Sequence, residues 1–342
     1  MSDRIKRRDF LRFGVLGTAS SAVAARGSWV ASSGASGRTA AKVAAPNHKK
    51  ARPLNVVMIV IDTLRYDYVG ANGNRWIGTP NLDRLIAKSW NFHRAMTGSY
   101  PTIPNRTDII TGRYGGPFHA WKPLDCDKPT IPAALAQLGY CTQLIHDTPH
   151  LVNGGHSFDY PFHAWMPVRG AEVDRAWITD SWDNMDNWGA DPLFDCYPKD
   201  AEGLLRKINC MGGYIHTNHG RKREEDWNVA RLFTTASKFL EDNARRSNFF
   251  LWIDCFDPHE PWDSPPEFLS MYDQTPGYDG RIDPRALDTR WTGSPEFPRQ
   301  CWDRKAAMYA AKVTFMDKWL GVFLNSFCCG SLLVGFPGGG LV

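Results

Sequence analysis

The stretch TGSYPTIPNRTDIITGRY at residues 97–114 sets a hydroxyl, a proline and an arginine two positions apart, at Thr102, Pro104 and Arg106. It then runs through Ile109 and Ile110 to Thr111, Gly112 and Arg113. Pro104 suits a first helical turn, where a missing N–H costs nothing. Gly112 suits a C-terminal stop. The spacing therefore predicts a helix with Thr102 just ahead of its first turn. A hydroxyl there meets the positive end of the helix dipole and free N–H groups, a natural receiver for a tetrahedral anion. Threonine is also common as a plain helix N-cap. Arg106, one turn further on, can fork onto the same anion.

Working outward, residues 55–61 (NVVMIVI) form a continuous β-branched run, the pattern of a parallel strand buried on both faces. The run delivers Asp62, and the carboxyl ends of strands are where chemistry collects in open α/β sheets. A carboxylate there suits a hard divalent cation. Thr79 as N-cap and Pro80 at the first helical position predict a short helix, with Leu82, Leu85 and Ile86 on one face. Thr130 to Leu138 predicts another helix, stopped by Gly139. Tyr140 to Ile145 predicts a strand that leads to His146, Asp147 and His150. Residues 152–230 are rich in Trp, Asp, Asn and Gly and predict long loops over the sheet edge. Trp165, Trp177, Trp182 and Trp188 in that span suit either stacking on sugar rings or ordinary packing. Glu224 to Asn243 predicts a helix with Val229, Leu232, Phe233, Ala236 and Leu240 on one stripe. Phe249 to Phe256 is a second buried strand, and it delivers Asp257, Pro258, His259, Glu260 and Pro261. The flanking prolines fix the backbone around the His259 imidazole. Asp254 and Asp257 read as local hydrogen-bond partners. Arg304 to Leu324 predicts a long helix, with Ala307, Tyr309, Ala310, Val313, Met316, Asp317 and Leu320 at helical spacing.

The block Thr102-x-Pro104-x-Arg106 followed by Thr111-Gly112-Arg113 resembles the sulfatase signature, in which a Cys or Ser opens the same pattern. Asp62 after its strand, the Thr79–Leu85 string and the Pro258-His259-x-Pro261 loop resemble sulfatase blocks in matching order. The resemblance spans roughly residues 55–325. It implies an α/β fold of the alkaline phosphatase superfamily, a three-layer sandwich around a central, mostly parallel or mixed sheet. It also implies Thr102 as nucleophile, with Arg106 and His259 as its catalytic companions. His150 and His259 become substrate-binding groups, and Asp62 and Thr102 ligands of a divalent metal, Ca2+ first, with Mg2+ or Mn2+ as alternatives. Sulfatases oxidise their Cys or Ser to formylglycine; a threonine would give a ketone, so formylglycine is not expected and the working group is an unmodified hydroxyl. Many sulfatases carry a second Asp where this chain has Thr63, and a Lys near the position of His150 that has no match here.

The 342 residues carry a net charge of +4. The charge is unevenly placed: residues 1–52 hold 11 Lys+Arg against 2 Asp+Glu, leaving 29 against 34 in the body. The body is mildly acidic, which argues against nucleic acid as a partner. Arg7-Arg8-Asp9-Phe10-Leu11, an apolar run from Phe13 and an Ala22-Val23-Ala24 cleavage site give a twin-arginine signal over residues 1–25. The expected partner is the twin-arginine export machinery, and the expected location periplasmic or secreted in a bacterium. Residues 26–52 read as a flexible linker. Residues 53–327 read as a sulfatase N-terminal-type catalytic domain, incomplete, and 328–342 as an atypical glycine-rich tail. Sulfatases follow the long helix with a Ser-Asp-His-Gly type motif that supplies further metal ligands; here the composition changes near Phe327, and a truncation or frame change is expected there. The eight cysteines include no C-x-x-C pair.

Three functions follow from these expectations. The first is metal-assisted hydrolysis of a small-molecule or carbohydrate sulfate ester. The second is a phosphodiesterase or phosphatase that uses Thr102 directly on a phosphate ester. The third is an inactive relative with no turnover.

Overall fold

The computed structural model describes residues 54–115, 119–172, 174, 214, 217–218, 220–274 and 299–329. The signal and linker, Trp177, Trp182, Trp188 and the 330–342 tail lie outside the described residues. Four strands, β1 (Val56–Ile61), β2 (Cys141–His146), β3 (Ala164–Pro167) and β4 (Phe249–Cys255), make one sheet in the order β1-β4-β2-β3. All three pairings are parallel. Parallel pairing brings the carboxyl ends of all four strands to one edge of the sheet.

The helices are α1 (Pro80–Ile86), α2 (Thr102–Thr111), α3 (Ile131–Gln137), α4 (Asn228–Asp242), α5 (Pro266–Leu269) and α6 (Arg299–Cys329). Strand alternation sorts them into two layers. Phe249, Leu251, Ile253 and Cys255 of β4 pack with Val229, Leu232 and Phe233 of α4 and with Phe315, Leu320 and Phe323 of α6. Phe250 and Trp252 face the other way, onto Ile103 and Ile110 of α2. Val57, Ile59 and Ile61 of β1 join the first core, while Met58 and Val60 join the second. This is the expected three-layer α/β sandwich.

The long helix binds α1 at its start. Both oxygens of Asp317 accept N–H groups from the first turn of α1, from Leu82 at 2.7 Å and Asn81 at 3.0 Å. A carboxylate there satisfies donors that a helix N-terminus leaves unpaired. Gly321 lets α6 approach this closely, because a Cβ at that position would lie 2.3 Å from the Asn81 side chain.

Several expectations shift. Helix α2 begins at Thr102 itself, with Pro101 as its cap, so Pro104 is the third residue of the first turn. None of the first four N–H groups has a partner inside the helix, so the proline still costs nothing there. Gly112 closes α2 at φ 65°, the left-handed cap that glycine adopts without strain. Glu224–Asp226 forms a separate short turn ahead of α4, because Trp227 is extended at φ −75° and ψ 150°. β3 falls where loop was expected. Among the described residues no helix is long and apolar enough to cross a membrane.

Candidate active site

Alternation also places the charges. Asp254 has the parity of Phe250 and Trp252, and Asp62 that of Met58 and Val60, so both carboxylates face the α2 layer. Register sets Asp254 opposite Val60, two residues before Asp62. Arg106, one turn into α2, meets both. Its Nε and Nη2 donate to the two oxygens of Asp254 at 2.9 and 3.0 Å, and Nη2 also donates to Asp62 Oδ2 at 3.0 Å. The fork expected to close on an anion is instead closed on Asp254, expected only as a local hydrogen-bond partner. Asp254 also accepts the Thr148 hydroxyl at 2.6 Å and the Trp252 indole N–H at 3.1 Å. Burial draws the Arg106 guanidinium down, but Asp254 and Asp62 more than offset it and hold it above its ordinary value.

Thr102 is buried at the first position of α2, one turn before Arg106 and on the same face. The segment after β1 is held in an unusual shape. Thr63 takes φ 55°, a left-handed conformation unfavourable for a β-branched residue. The Tyr309 hydroxyl of α6 donates to the Thr63 carbonyl at 2.7 Å and accepts the Arg65 N–H at 2.9 Å, pinning the turn just past Asp62.

The two expected histidines converge on Glu172, which no motif marks. His150 Nε2 lies 3.7 Å from Glu172 Oε2, and His259 Nδ1 lies 3.9 Å from the same oxygen. His259 stacks on Phe256 with ring centres 4.2 Å apart, and His150 meets Phe256 edge-on at 5.7 Å. His259 Nδ1 donates to the Glu260 carbonyl at 2.9 Å, which leaves Nε2 as the nitrogen that exchanges a proton. Glu172 arrives five residues after β3, so the missed strand explains the missed carboxylate.

A second charged set lies beside His259. Lys312 of α6 pairs with Asp257 at 3.0 Å and Asp263 at 3.5 Å. Arg221 pairs with Asp263 at 2.5 Å and donates to the Tyr214 hydroxyl at 3.2 Å. A lysine thus does reach the site's rim, from α6 rather than from the end of β2, but two carboxylates hold it. Burial, reinforced by the neighbouring carboxylates, pushes the Cys255 thiol well up.

A hard divalent ion takes six or more oxygen ligands. Among the described residues Asp62 offers its second carboxylate oxygen, which accepts no hydrogen bond, and the Thr102 hydroxyl stands one turn from Arg106. Both Asp254 oxygens are taken, and Arg106 sets a positive charge against Asp62. The described donors fall short of such an ion at Asp62.

The model of the Sulfatase family matches residues 54–327. The chain is 43% identical over 58 residues to an arylsulfatase of Clostridium perfringens, covering 17% of this chain and 12% of that one. It is 24% identical over 237 residues to iduronate 2-sulfatase of Mus musculus, covering 67% of this chain and 39% of that one. The chain thus spans well under half the length of these relatives. Among solved structures, the phosphonate monoester hydrolase of Agrobacterium radiobacter superposes with a TM-score of 0.57 at 18% identity, over 82% of this chain and 60% of that one.

Proposed function

The chain belongs to the sulfatase family, and we propose that it hydrolyses sulfate esters through transfer of the sulfuryl group to Thr102. The observation that carries this reading is the assembly of Arg106, Asp62, His150 and His259 on one sheet edge, with Thr102 one turn from Arg106. Thr102 Oγ attacks sulfur and passes its proton to solvent, a new O–S bond forms, and the ester S–O bond breaks. The leaving oxygen takes a proton from Nε2 of protonated His259, whose ring is oriented by Phe256 and the Glu260 carbonyl. Water then attacks sulfur, giving a proton to the now neutral His259, the Thr102–sulfur bond breaks, and the released Thr102 oxygen takes a proton from solvent. Arg106 keeps Asp62 in place and adds positive charge beside the transferred group.

The arylsulfatase and iduronate 2-sulfatase relatives suggest an aryl or sugar sulfate as substrate. Ca2+ is the ion proposed from the family, with ligands needed beyond the described residues, and no step above runs through it. A phosphate ester is the second reading, favoured by Thr102 itself, since a threonine acts directly and cannot become formylglycine. Export of the folded chain to the periplasm or beyond is proposed from the twin-arginine pattern, and an Arg7→Lys, Arg8→Lys double variant should stay in the cytoplasm.

The test is turnover of an aryl sulfate and of a bis-aryl phosphate by the purified chain, with and without added Ca2+ or Mn2+. Sulfate turnover should exceed phosphate turnover, vanish in Thr102→Val and fall by about 10²-fold or more in His259→Gln. Preference for the phosphate diester would establish the second reading. Turnover of neither, with no rise in melting temperature on adding ions, would make the chain an inactive relative.

A further inference from the structure

We propose a second cation site, separate from Asp62, in which Glu172, His259 and Glu260 hold a borderline divalent ion of the zinc or cobalt type. One donor atom from each of the three residues lies within 4.8 Å of the other two. His259 Nδ1 is 3.4 Å from Glu260 Oε2 and 3.9 Å from Glu172 Oε2. Donors on a tetrahedral ion with bonds of about 2.0–2.2 Å lie roughly 3.4 Å apart, so small side-chain movements close the set. His150 Nε2 lies 3.7 Å from the same Glu172 oxygen but outside the three-residue group, so water completes the coordination.

Charge and access favour an occupant. The three side chains are 16–22% exposed, open enough for an ion to enter and covered enough to hold it. Among the described residues no lysine or arginine pairs with either glutamate; Lys312 and Arg221, which line the same cavity, are held by Asp257 and Asp263. A mixture of imidazole and carboxylate suits zinc, cobalt or nickel, whereas calcium and magnesium prefer oxygen alone. The stack of His259 on Phe256 presets its ring. Binding requires the ring proton to pass from Nδ1 to Nε2, and the hydrogen bond to the Glu260 carbonyl is given up.

The experiment is titration of the full chain with Co2+, read by the visible absorption bands of the bound ion. One Co2+ per chain should bind with the intense spectrum of a tetrahedral nitrogen–oxygen site, be displaced by Zn2+, and persist in excess Ca2+. Glu172→Gln and Glu260→Gln should each weaken binding at least about tenfold. Their melting temperatures without metal should match the parent, which separates lost ligands from lost fold. Asp62→Asn should leave the spectrum unchanged. A featureless spectrum, binding unmoved by either glutamine variant, or binding lost in Asp62→Asn would overturn the proposal. None of these readouts depends on turnover, so an inactive chain tests the site equally well.

Discussion

Two buried charge networks share the sheet edge, and they are balanced differently. In one, a single guanidinium, Arg106, serves two carboxylates, Asp62 and Asp254. In the other, Lys312 and Arg221 serve Asp257 and Asp263, with the Tyr214 hydroxyl added. Each buried ion costs several kcal/mol in desolvation, so a neutral set is the economical arrangement for scaffolding. The Lys312 network is that kind of set. It ties α6 to the loop carrying His259, and the surrounding carboxylates hold the Lys312 ammonium above its ordinary value. The Arg106 network keeps one excess negative charge and one open Asp62 oxygen, with Thr102 one turn before Arg106 on its helix. Uncompensated charge of this kind tends to mark a working site.

Removing Arg106 gives the sharpest test of that difference. Arg106→Met leaves two buried carboxylates without a cation and should cost about 3–5 kcal/mol in denaturant unfolding. Lys312→Met should fall at the lower end, about 3 kcal/mol, because Arg221 still holds Asp263. Equal losses would erase the distinction between the open and closed sets. Thr148→Val removes one hydrogen bond to Asp254 and should cost about 2 kcal/mol; no loss would mean that Arg106 alone satisfies Asp254.

The smallest effect concerns Asp147, which lies between the networks. Its N–H donates to the Asp254 carbonyl at 3.2 Å, and its Oδ1 accepts the Phe256 N–H at 2.7 Å. Burial, reinforced by the Asp257 and Asp254 carboxylates, raises its pKa well above the usual range. The folded chain then holds a proton that the unfolded chain releases near pH 4. Stability from this group is therefore full at low pH and lost as pH rises toward the folded value. Asp147→Asn keeps the acceptor for Phe256 and never ionises, so its urea midpoint should decline less than the parent's between pH 5 and 8. An unchanged decline would assign the titration to another group.

Much of this was legible in the sequence. The runs at 55–61 and 249–256 announce buried parallel strands, and the Val229–Leu240 stripe announces α4, because burial on two faces or one leaves a periodic trace. The motifs pointed to Thr102, Arg106, His150 and His259 as candidates. β3 left no such trace: it has four residues, Trp165 and Met166 are substantially exposed, and it ends in proline. Glu172 depends on that strand and was missed with it. Asp254 carried a readable signal, since it shares the alternation of Phe250 and Trp252, which points it at the same layer as Asp62. The role of Lys312 depends on where α6, which begins 40 residues downstream of His259, docks, and no local pattern encodes that.

The alternation of β4 makes its length as important as its composition. Losing one residue between Phe249 and Asp254 would rotate everything upstream of the cut by half a turn, setting aromatic rings against the wrong helices or swinging the aspartate away from its guanidinium. Even conservative swaps at these positions keep the phase, whereas a single-codon insertion or deletion does not. β4 should therefore tolerate exchange of one apolar side chain for another far better than any change in the count.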